Sequence, residues 1–258
     1  MPQDTTRIWY QSYTHPTEAK AYLDSLQAHI DTALDPGTTV DVIGLDPPAN
    51  EVHAITEVRC GVQVIKNAIQ AEKEGYDAFV IGHFQDAGLM EAKACVDIPV
   101  MGLGETTMLY ACTLGTKLGL VTIDPVFIRW HQQQIAEYGL GERVLGVHGM
   151  RTHPNQLVRA FTEEEVYQDV KRQFIEQSAG FVESGVDALI PAGGLPMLLL
   201  AREKGFTVDG VPVLNGITIT TKMAELAVKL KRLDGTGVSR RSNFVKPTEL
   251  ALNQFLGT

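Results

Sequence analysis

One pattern occurs twice in this sequence, and it constrains the fold more than any other feature. Residues 75–83 read GYDAFVIGH and residues 185–193 read GVDALIPAG, so each copy opens with Gly-x-Asp-Ala and continues into an apolar run. Each copy is followed further along by an x-Pro-Val segment and a loop that ends in threonine, at 98–107 and at 211–220. A repeat of this kind predicts two similar lobes, and 258 residues are enough to give each lobe its own core.

Short apolar or β-branched runs alternate with segments of helical periodicity. The predicted strands are residues 7–11, 39–45, 78–82, 98–103, 118–122, 144–147, 188–191 and 211–214. Apolar residues recur every three or four positions at 19–30, 58–69 and 166–174, as on helices with one buried face. This alternation predicts an α/β fold of two similar lobes, each a mainly parallel sheet flanked by helices and related by a pseudo-twofold axis. The expected lobes are residues 1–115 together with 220–258, and residues 116–219.

Two helix boundaries are also predicted from local signals. Thr162 and Glu165 have the spacing of a capping box at the start of a helix. Pro196 fits the first turn of another helix, and Gly205 fits its end.

The charge balance and the cysteines limit the class of partner and the compartment. Lys and Arg total 22 against 31 Asp and Glu, which gives a formal net charge of −9. Nucleic acids and anionic membranes are disfavoured because both require a concentrated basic surface. Cys60, Cys95 and Cys112 are too few for a disulfide framework, and no signal peptide or membrane span is visible. We therefore expect a cytoplasmic homo-oligomer whose partner is a small-molecule substrate.

The expected ligand site is the cleft between the two lobes. Open parallel sheets bind ligands outside the carboxyl ends of their strands, and two lobes bring two such edges together. The segments at predicted strand ends are residues 11–14, 83–86, 104–107, 122–124, 193–194 and 215–221.

Three of these segments resemble a known family. Residues 75–88 (GYDAFVIGHFQDAG), 97–107 (DIPVMGLGETT) and 185–197 (GVDALIPAGGLPM) resemble the aspartate/glutamate/hydantoin racemase superfamily, with the closest likeness to its hydantoin racemase branch. In that branch the first loop typically reads GADxxVIGCFxDPG and the later one IPVxGIGEAA. The resemblance covers roughly residues 7–229. It implies an enzyme that needs no cofactor, in which two cysteines, one ending a strand in each lobe, move a proton on opposite faces of a carbon beside a carbonyl.

This sequence departs from the family pattern at both cysteine positions. His83 and Gly193 stand there, and none of the three cysteines aligns with either position. Arylmalonate decarboxylases, superfamily members that keep one of the two cysteines, protonate one face only. By analogy we expect His83 to be a one-sided acid and base, since an imidazole pKa of ~6.5 suits proton transfer near neutrality. The expected substrate is a small carboxylate or a cyclic ureide or imide, whose enolate or oxyanion the site stabilises.

Several reaction types remain open at this stage. A one-sided isomerase, a decarboxylase and a hydrolase all fit a single acid/base residue. The alternatives are a hydantoin or amino-acid racemase with a second base other than cysteine, and a ligand-binding protein without catalytic activity.

The predicted substrate-binding residues lie in the same strand-end loops. They are Ser12, Tyr13, Thr14, Phe84, Gln85, Thr106, Thr107, Thr122, Gly193 and Gly194. The segment 102–107 is expected to open a helix, capped by Thr106, whose free backbone N–H groups bind carboxylate or imide oxygens. The N–H groups of Gly194 and Leu195 are candidate oxyanion donors. Either Asp86 or Glu105 is a candidate for the carboxylate that orients His83.

The remaining polar residues give weaker signals. His148 and His153 lie in a predicted loop near the cleft, as surface or capping groups, and His131 is expected on a polar helix face. We predict no metal site, because no histidine pair has the spacing of a metal-binding helix, and no nucleotide cofactor, because residues 102–107 lack a complete dinucleotide or phosphate motif. The basic tail, residues 229–258, is expected to be an arm on a neighbouring subunit, a flap over the cleft or a solvated surface strand.

Overall fold

A computed structural model describes residues 5–49 and 51–257 of the chain. The structure does not describe residues 1–4, 50 and 258. All of them belong to the predicted first lobe. The strands are β1 Thr6–Gln11, β2 Thr38–Ile43, β3 Ala78–Ile81, β4 Val100–Gly102, β5 Leu118–Thr122, β6 Val144–Gly149, β7 Ala188–Ala192, β8 Thr207–Val208 and β9 Val211–Pro212. The α-helices are α1 Lys20–Asp31, α2 Ala54–Lys73, α3 Leu89–Cys95, α4 Leu103–Leu114, α5 Phe127–Glu137, α6 Pro154–Arg159, α7 Glu164–Glu183, α8 Gly194–Leu200, α9 Gly216–Asp234 and α10 Glu249–Leu256.

The two sheets repeat one strand order, which accounts for the internal repeat in the sequence. The first sheet has the order β2-β1-β3-β4 and the second β6-β5-β7, and all their pairings are parallel. A parallel bridge between Leu189 and Val213 lies on the other edge of β7, where β4 stands in the first sheet. The predicted α/β fold of two similar lobes is therefore confirmed.

The central strands are apolar throughout because both faces of each sheet are covered. Every residue of β3 and of β7 is buried. Helices on both sides exclude water from such strands, so the alternation of polar and apolar residues seen in half-exposed strands is absent. The helix α9 contacts α4, β3 and β4, so the chain returns to the first sheet after the second is complete. It begins at Gly216, before the predicted return at residue 220, and the exact lobe boundaries stay a prediction.

Three local predictions are corrected. The last predicted strand, 211–214, is reduced to β9, which pairs antiparallel with β8, because Pro212 has no N–H to donate to a parallel ladder. The capping box is absent: α7 begins at Glu164, and the Thr162 hydroxyl donates to the Arg159 carbonyl at the end of α6 (3.2 Å). Pro196 does lie in the first turn of α8, but the helix ends at Leu200, before Gly205.

The basic tail packs on its own chain, away from the cleft. After α9 it forms a short 3-10 helix, Ser242–Phe244, beside α3, and then α10. Arg240 donates to the Val96 carbonyl and pairs with the Asp97 carboxylate (2.8 Å). Leu252 and Phe255 of α10 pack against the core of the first lobe. The expectation of a cleft flap or a surface strand is therefore wrong. None of the described helices is long and apolar enough to cross a membrane.

Candidate functional site

A cavity of about 320 Å³ lies between the carboxyl ends of the two sheets. The first lobe contributes the loop after β1, the start of α1, the first turn of α2 and the end of β3. The second lobe contributes the ends of β5 and β7 and the starts of α5, α6 and α8. This is the interlobe cleft that the sequence predicts.

His83 and Glu57 form a hydrogen-bonded pair in this cleft. The His83 Nε2 atom lies 3.1 and 3.2 Å from the two carboxylate oxygens of Glu57. Both side chains line the cavity and are about four-fifths buried, at 20% and 18% exposed. An ionised carboxylate only accepts hydrogen bonds, so Nε2 carries the proton, and Nδ1 is the nitrogen left to act as a base.

The surroundings of the pair fix its ionisation and its orientation. Burial acts to raise the pKa of Glu57, but the adjacent His83, through its charge and its hydrogen bond, outweighs it, so the pKa is lowered. The imidazole of His83 stacks on the Tyr13 ring with centroids 4.1 Å apart. Because the Tyr13 hydroxyl donates to the Ala87 carbonyl (3.0 Å), the ring that supports His83 is itself held.

Glu57 was not among the predicted orienting groups, and both predicted groups have other partners. Asp86 accepts from backbone N–H groups at the start of α4, and Glu105 pairs with Lys93 (2.5 Å). Glu57 stands in the first turn of α2, 26 residues before His83, where an acidic residue is ordinary on dipole grounds. Only the packing of α2 beside the end of β3 distinguishes it, so no sequence signal identified it.

The start of α4 is occupied by a carboxylate of its own chain, and none of residues 102–107 lines the cavity, which corrects their predicted role. The Asp86 carboxylate accepts from Gly104 N (3.0 Å) and Glu105 N (2.6 Å), so this helix end has its anion within the chain. Thr106 does not cap the helix, whose N-cap is Gly102. Thr107 is buried, and its hydroxyl donates to the Leu103 carbonyl (2.6 Å). Neither threonine lines the cavity.

Phe84 and Thr122 are likewise buried behind the cleft wall. The Phe84 ring packs edge-on against the His131 ring, with centroids 5.3 Å apart. The Thr122 hydroxyl lies 3.1 Å from His131 Nε2. The expectation that these two side chains contact substrate is therefore corrected: they pack and hydrogen bond within the protein.

The other predicted contacts do line the cavity. They are Ser12, Tyr13, Thr14, Gln85, Gly193 and Gly194. Their contacts with a substrate stay a prediction. The Gly193 N–H donates to the Pro191 carbonyl (2.9 Å), so the candidate oxyanion donors at this strand end are the N–H groups of Gly194 and Leu195. The Tyr22 hydroxyl, which sequence analysis missed, also faces this region. It lies 3.2 Å from the position that a Cβ atom on residue 194 would occupy.

The second-lobe wall is apolar opposite the His83–Glu57 pair. Its apolar members are Ile123, Phe127, Ala192, Val158, Leu195 and Pro196. Its polar side chains, among the described residues, are Asn155 and Arg159, and Arg159 is paired with Glu163 (2.6 Å). Neither is suited to exchange protons with a carbon at neutral pH, because an amide does not titrate and a guanidinium does not lose its proton.

The three cysteines lie outside the cavity, and so do the histidines other than His83 and His15, a first-lobe residue whose Nδ1 accepts from the Thr17 N–H (3.2 Å). Cys60 is buried on α2, and burial raises the pKa of its thiol to about 11. His148 lies within β6 and not in the predicted loop, where it stacks on Phe181, and His153 precedes α6. His131 is fully buried on α5, which corrects its assignment to a polar face. Within the described residues, no three His, Cys, Asp or Glu side chains are grouped as a metal site requires.

Known proteins resemble this chain over most of its length. The family model described as Asp/Glu/Hydantoin racemase matches residues 16–224. A hydantoin racemase from Pseudomonas sp. (strain NS671) is 31% identical over 168 residues, which are 65% of this chain and 64%, less than two thirds, of that protein. A hydantoin racemase from Paenarthrobacter aurescens is 26% identical over 239 residues, 91% of this chain and 96% of that protein.

Solved structures agree in fold. An allantoin racemase from Klebsiella pneumoniae superposes with a TM-score of 0.77 at 24% identity, over 95% of both chains. The family match covers far more than half of the sequence, and the structural likeness extends through both lobes and the cleft between them. The chain therefore belongs to the Asp/Glu/hydantoin racemase family of enzymes.

Proposed function

We propose that this protein transfers a proton at a carbon beside a carbonyl group, with His83 as its single acid/base residue. The substrate class is a cyclic ureide of the hydantoin type or a small carboxylate. The observation that carries the proposal is the His83–Glu57 hydrogen bond inside the interlobe cleft. The relatives support it because hydantoin and allantoin are both cyclic ureides with an acidic C–H beside a carbonyl.

The chemistry follows from the placement of the pair. His83 Nδ1 removes the proton from the carbon, and Glu57 stabilises the imidazolium that forms. The electron pair moves to the carbonyl oxygen, where the N–H groups of Gly194 and Leu195 and the Tyr22 hydroxyl are the candidate donors. Burial raises the pKa of Tyr22, so its hydroxyl keeps its proton and remains a donor at neutral pH.

The reaction is expected to be one-sided. All the groups that can exchange a proton with carbon near neutrality stand on the first-lobe wall, and the opposite wall is mostly apolar within the described residues. The imidazolium therefore returns its proton to the face from which it came. An enzyme of this kind exchanges the α-proton with solvent and retains configuration, or protonates one face of an enolate made in another way.

The test follows both exchange and configuration. Each enantiomer of a 5-substituted hydantoin is incubated with the enzyme in D2O, and allantoin is tested in parallel. NMR measures the loss of the α-proton, and chiral chromatography measures the configuration. Exchange that outpaces loss of optical purity supports the proposal. Equal rates of exchange and racemisation would indicate a second base, and ligand-induced thermal stabilisation with no exchange or product in any substrate would indicate a binding protein.

A cysteine at residue 193 is predicted to add the missing second base. A Cβ on Gly193 would lie 3.1 Å from Pro196 Cδ and 3.3 Å from Ile123 Cγ2, so small side-chain shifts accommodate it. We expect the Gly193→Cys variant to raise the ratio of racemisation to exchange severalfold. The Gly193→Ser variant is the matched control, since a hydroxyl of the same size is a far weaker base. An equal gain in the serine variant would contradict the prediction.

Glu57 is predicted to act through its charge. Its pKa lies below the ordinary value, so the carboxylate is ionised at neutral pH. We expect the Glu57→Gln variant to lose about 10- to 100-fold in exchange rate. The deficit should persist from pH 7 to pH 9, because Glu57 stays ionised there. A deficit that disappears at pH 9 would show that another group carries the effect.

A further inference from the structure

A chain of buried hydrogen bonds connects the two strand ends that face each other across the cleft. The amide nitrogen Nε2 of Gln134 donates to the Phe84 carbonyl (2.6 Å) and to the Asp86 carboxylate (3.1 Å), both in the loop after His83. Gln134 Oε1 lies 3.1 Å from His131 Nδ1. His131 Nε2 lies 3.1 Å from the Thr122 hydroxyl, which is 3.3 Å from the carbonyl oxygen of Ala192.

This chain begins next to the acid/base residue and ends at Thr122 of β5, which pairs in the sheet with Ala192, the residue before Gly193. Asp86 also anchors the near end: its N–H donates to the His83 carbonyl (3.0 Å), and its carboxylate accepts from the Tyr138 hydroxyl (2.7 Å). The backbone of Asp86 has φ +56°, a left-handed turn that aspartate tolerates and that needs such contacts to hold it. Gln134 and Tyr138 come from α5 of the second lobe and its end, so the loop that bears His83 is tied to the opposite lobe.

We propose that Gln134 and His131 are positioning residues that hold the His83 loop at a fixed distance from the opposite cleft wall. This inference rests on the proposed function of His83. Neither residue lines the cavity, so both act through the loop and through the end of β5. All four side chains of the chain, those of Asp86, Gln134, His131 and Thr122, are buried, and a buried bond lost here leaves polar atoms without water.

The partners fix the direction of each bond. A carbonyl oxygen only accepts, so Phe84 requires the nitrogen of the Gln134 amide to face it, and Gln134 Oε1 must then face His131. Nδ1 of His131 therefore carries the proton. Burial lowers the pKa of His131 to about 4, so the ring is neutral at pH 7 and Nε2 accepts from the Thr122 hydroxyl. The single hydroxyl proton of Thr122 is then directed to His131 and not to the Ala192 carbonyl, so the chain ends at Thr122.

The protonation pattern is tested first, without any substrate. Nitrogen-15 NMR of the histidine-labelled protein resolves the tautomers, and the His131→Gln variant assigns the His131 signals among the seven histidines. We expect a neutral His131 with its proton on Nδ1 at pH 7. A proton on Nε2, or a charged ring, would overturn the assignment.

The positioning role is tested with Gln134→Leu, which removes both ends of the amide at similar volume. We expect the NMR signals of the His83 ring to shift and broaden, kcat to fall about 10- to 100-fold and KM to change less than about twofold. Thr122→Val, a nearly isosteric change at the other end of the chain, should shift the same His83 signals. This variant provides the test if Gln134→Leu does not fold.

The control separates positioning from loss of stability. Val170→Ala removes buried volume from α7 in the same lobe, and Val170 takes part in none of the hydrogen bonds of the chain. It should leave the His83 signals and kcat unchanged at temperatures where it is folded. Unchanged His83 signals in both Gln134→Leu and Thr122→Val would overturn the proposal. If the wild-type protein shows no proton exchange, the proposed function fails, while the NMR comparison still decides the positioning role.

Discussion

The His83→Ala variant is expected to lose proton exchange by about 10³-fold while it keeps its fold and its ability to bind substrate. Removal of a positioned general base typically costs 10²- to 10⁴-fold. His83 is the only titratable group of the cleft, among the described residues, that is both stacked on an aromatic ring and paired with a carboxylate. The measurement is the rate of α-proton loss in D2O by NMR, with substrate affinity from calorimetry.

Two controls make this result specific. Added imidazole should restore part of the exchange in His83→Ala, because the deleted ring leaves a space of its own shape beside Glu57. His53→Ala removes an imidazole that is 67% exposed and pairs with Glu51, and it should exchange at the wild-type rate. Wild-type activity in His83→Ala, or an equal loss in His53→Ala, would show that His83 is not the acid/base residue.

The Asp86→Ala variant is expected to lose about 3 to 5 kcal/mol of unfolding free energy. The change leaves the Gly104 and Glu105 N–H groups, the Gln134 amide and the Tyr138 hydroxyl without their acceptor. Each buried unpaired donor costs about 1 to 3 kcal/mol, and partial relaxation reduces the sum. The expected fall in Tm is about 10 °C. Asp24→Ala, which removes an exposed carboxylate on α1, should cost less than about 0.5 kcal/mol.

The loss in Asp86→Ala is also expected to depend on pH. Burial raises the pKa of Asp86 to about 7, although the hydrogen bonds from Tyr138 and from the start of α4 act to lower it. Between about pH 4 and pH 7 the folded state thus holds a proton that the unfolded state has released. As the pH rises through this interval, the free energy of unfolding of the wild-type protein therefore falls by up to 1.4 kcal/mol per pH unit from this one group.

The difference between wild type and Asp86→Ala should therefore be larger at pH 5 than at pH 8. Urea unfolding at the two pH values measures it. A difference that grows with pH would show that Asp86 is ionised in the folded state with an ordinary or lowered pKa.

The sequence predicted the architecture well because a repeated pattern and strand-length apolar runs depend only on local order along the chain. Strand β5 matches its predicted bounds, and the other predicted strands of the two main sheets shift by a few residues at most. The exceptions arise where a neighbour in space decides. Pro212 lies in a two-residue antiparallel strand where apolar character alone predicts a longer one, and the tail folds on α3 through Arg240 and Asp97.

The site was predicted in part, and the division has a physical cause. Residues that follow a strand directly, such as Ser12, His83 and Gly193, are carried to the cleft by the sheet, so their position follows from the strand. Thr122 also ends a strand and Phe84 also follows one, but their side chains point into the protein, and sequence position does not specify that direction. Glu57 lies on a helix that only packing brings to His83.

By itself, therefore, the sequence determined the two-lobed α/β fold and the cleft, and it placed His83 and Gly193 at strand ends in the two lobes. The tertiary structure alone decided which carboxylate serves His83 and which serves the helix. Asp86, three residues from His83, accepts hydrogen bonds from the start of α4. Glu57, far away in sequence, is the carboxylate that pairs with the imidazole. Hydrogen bonds are short and directional, so their partners depend on where packed helices end in space and not on distance along the chain.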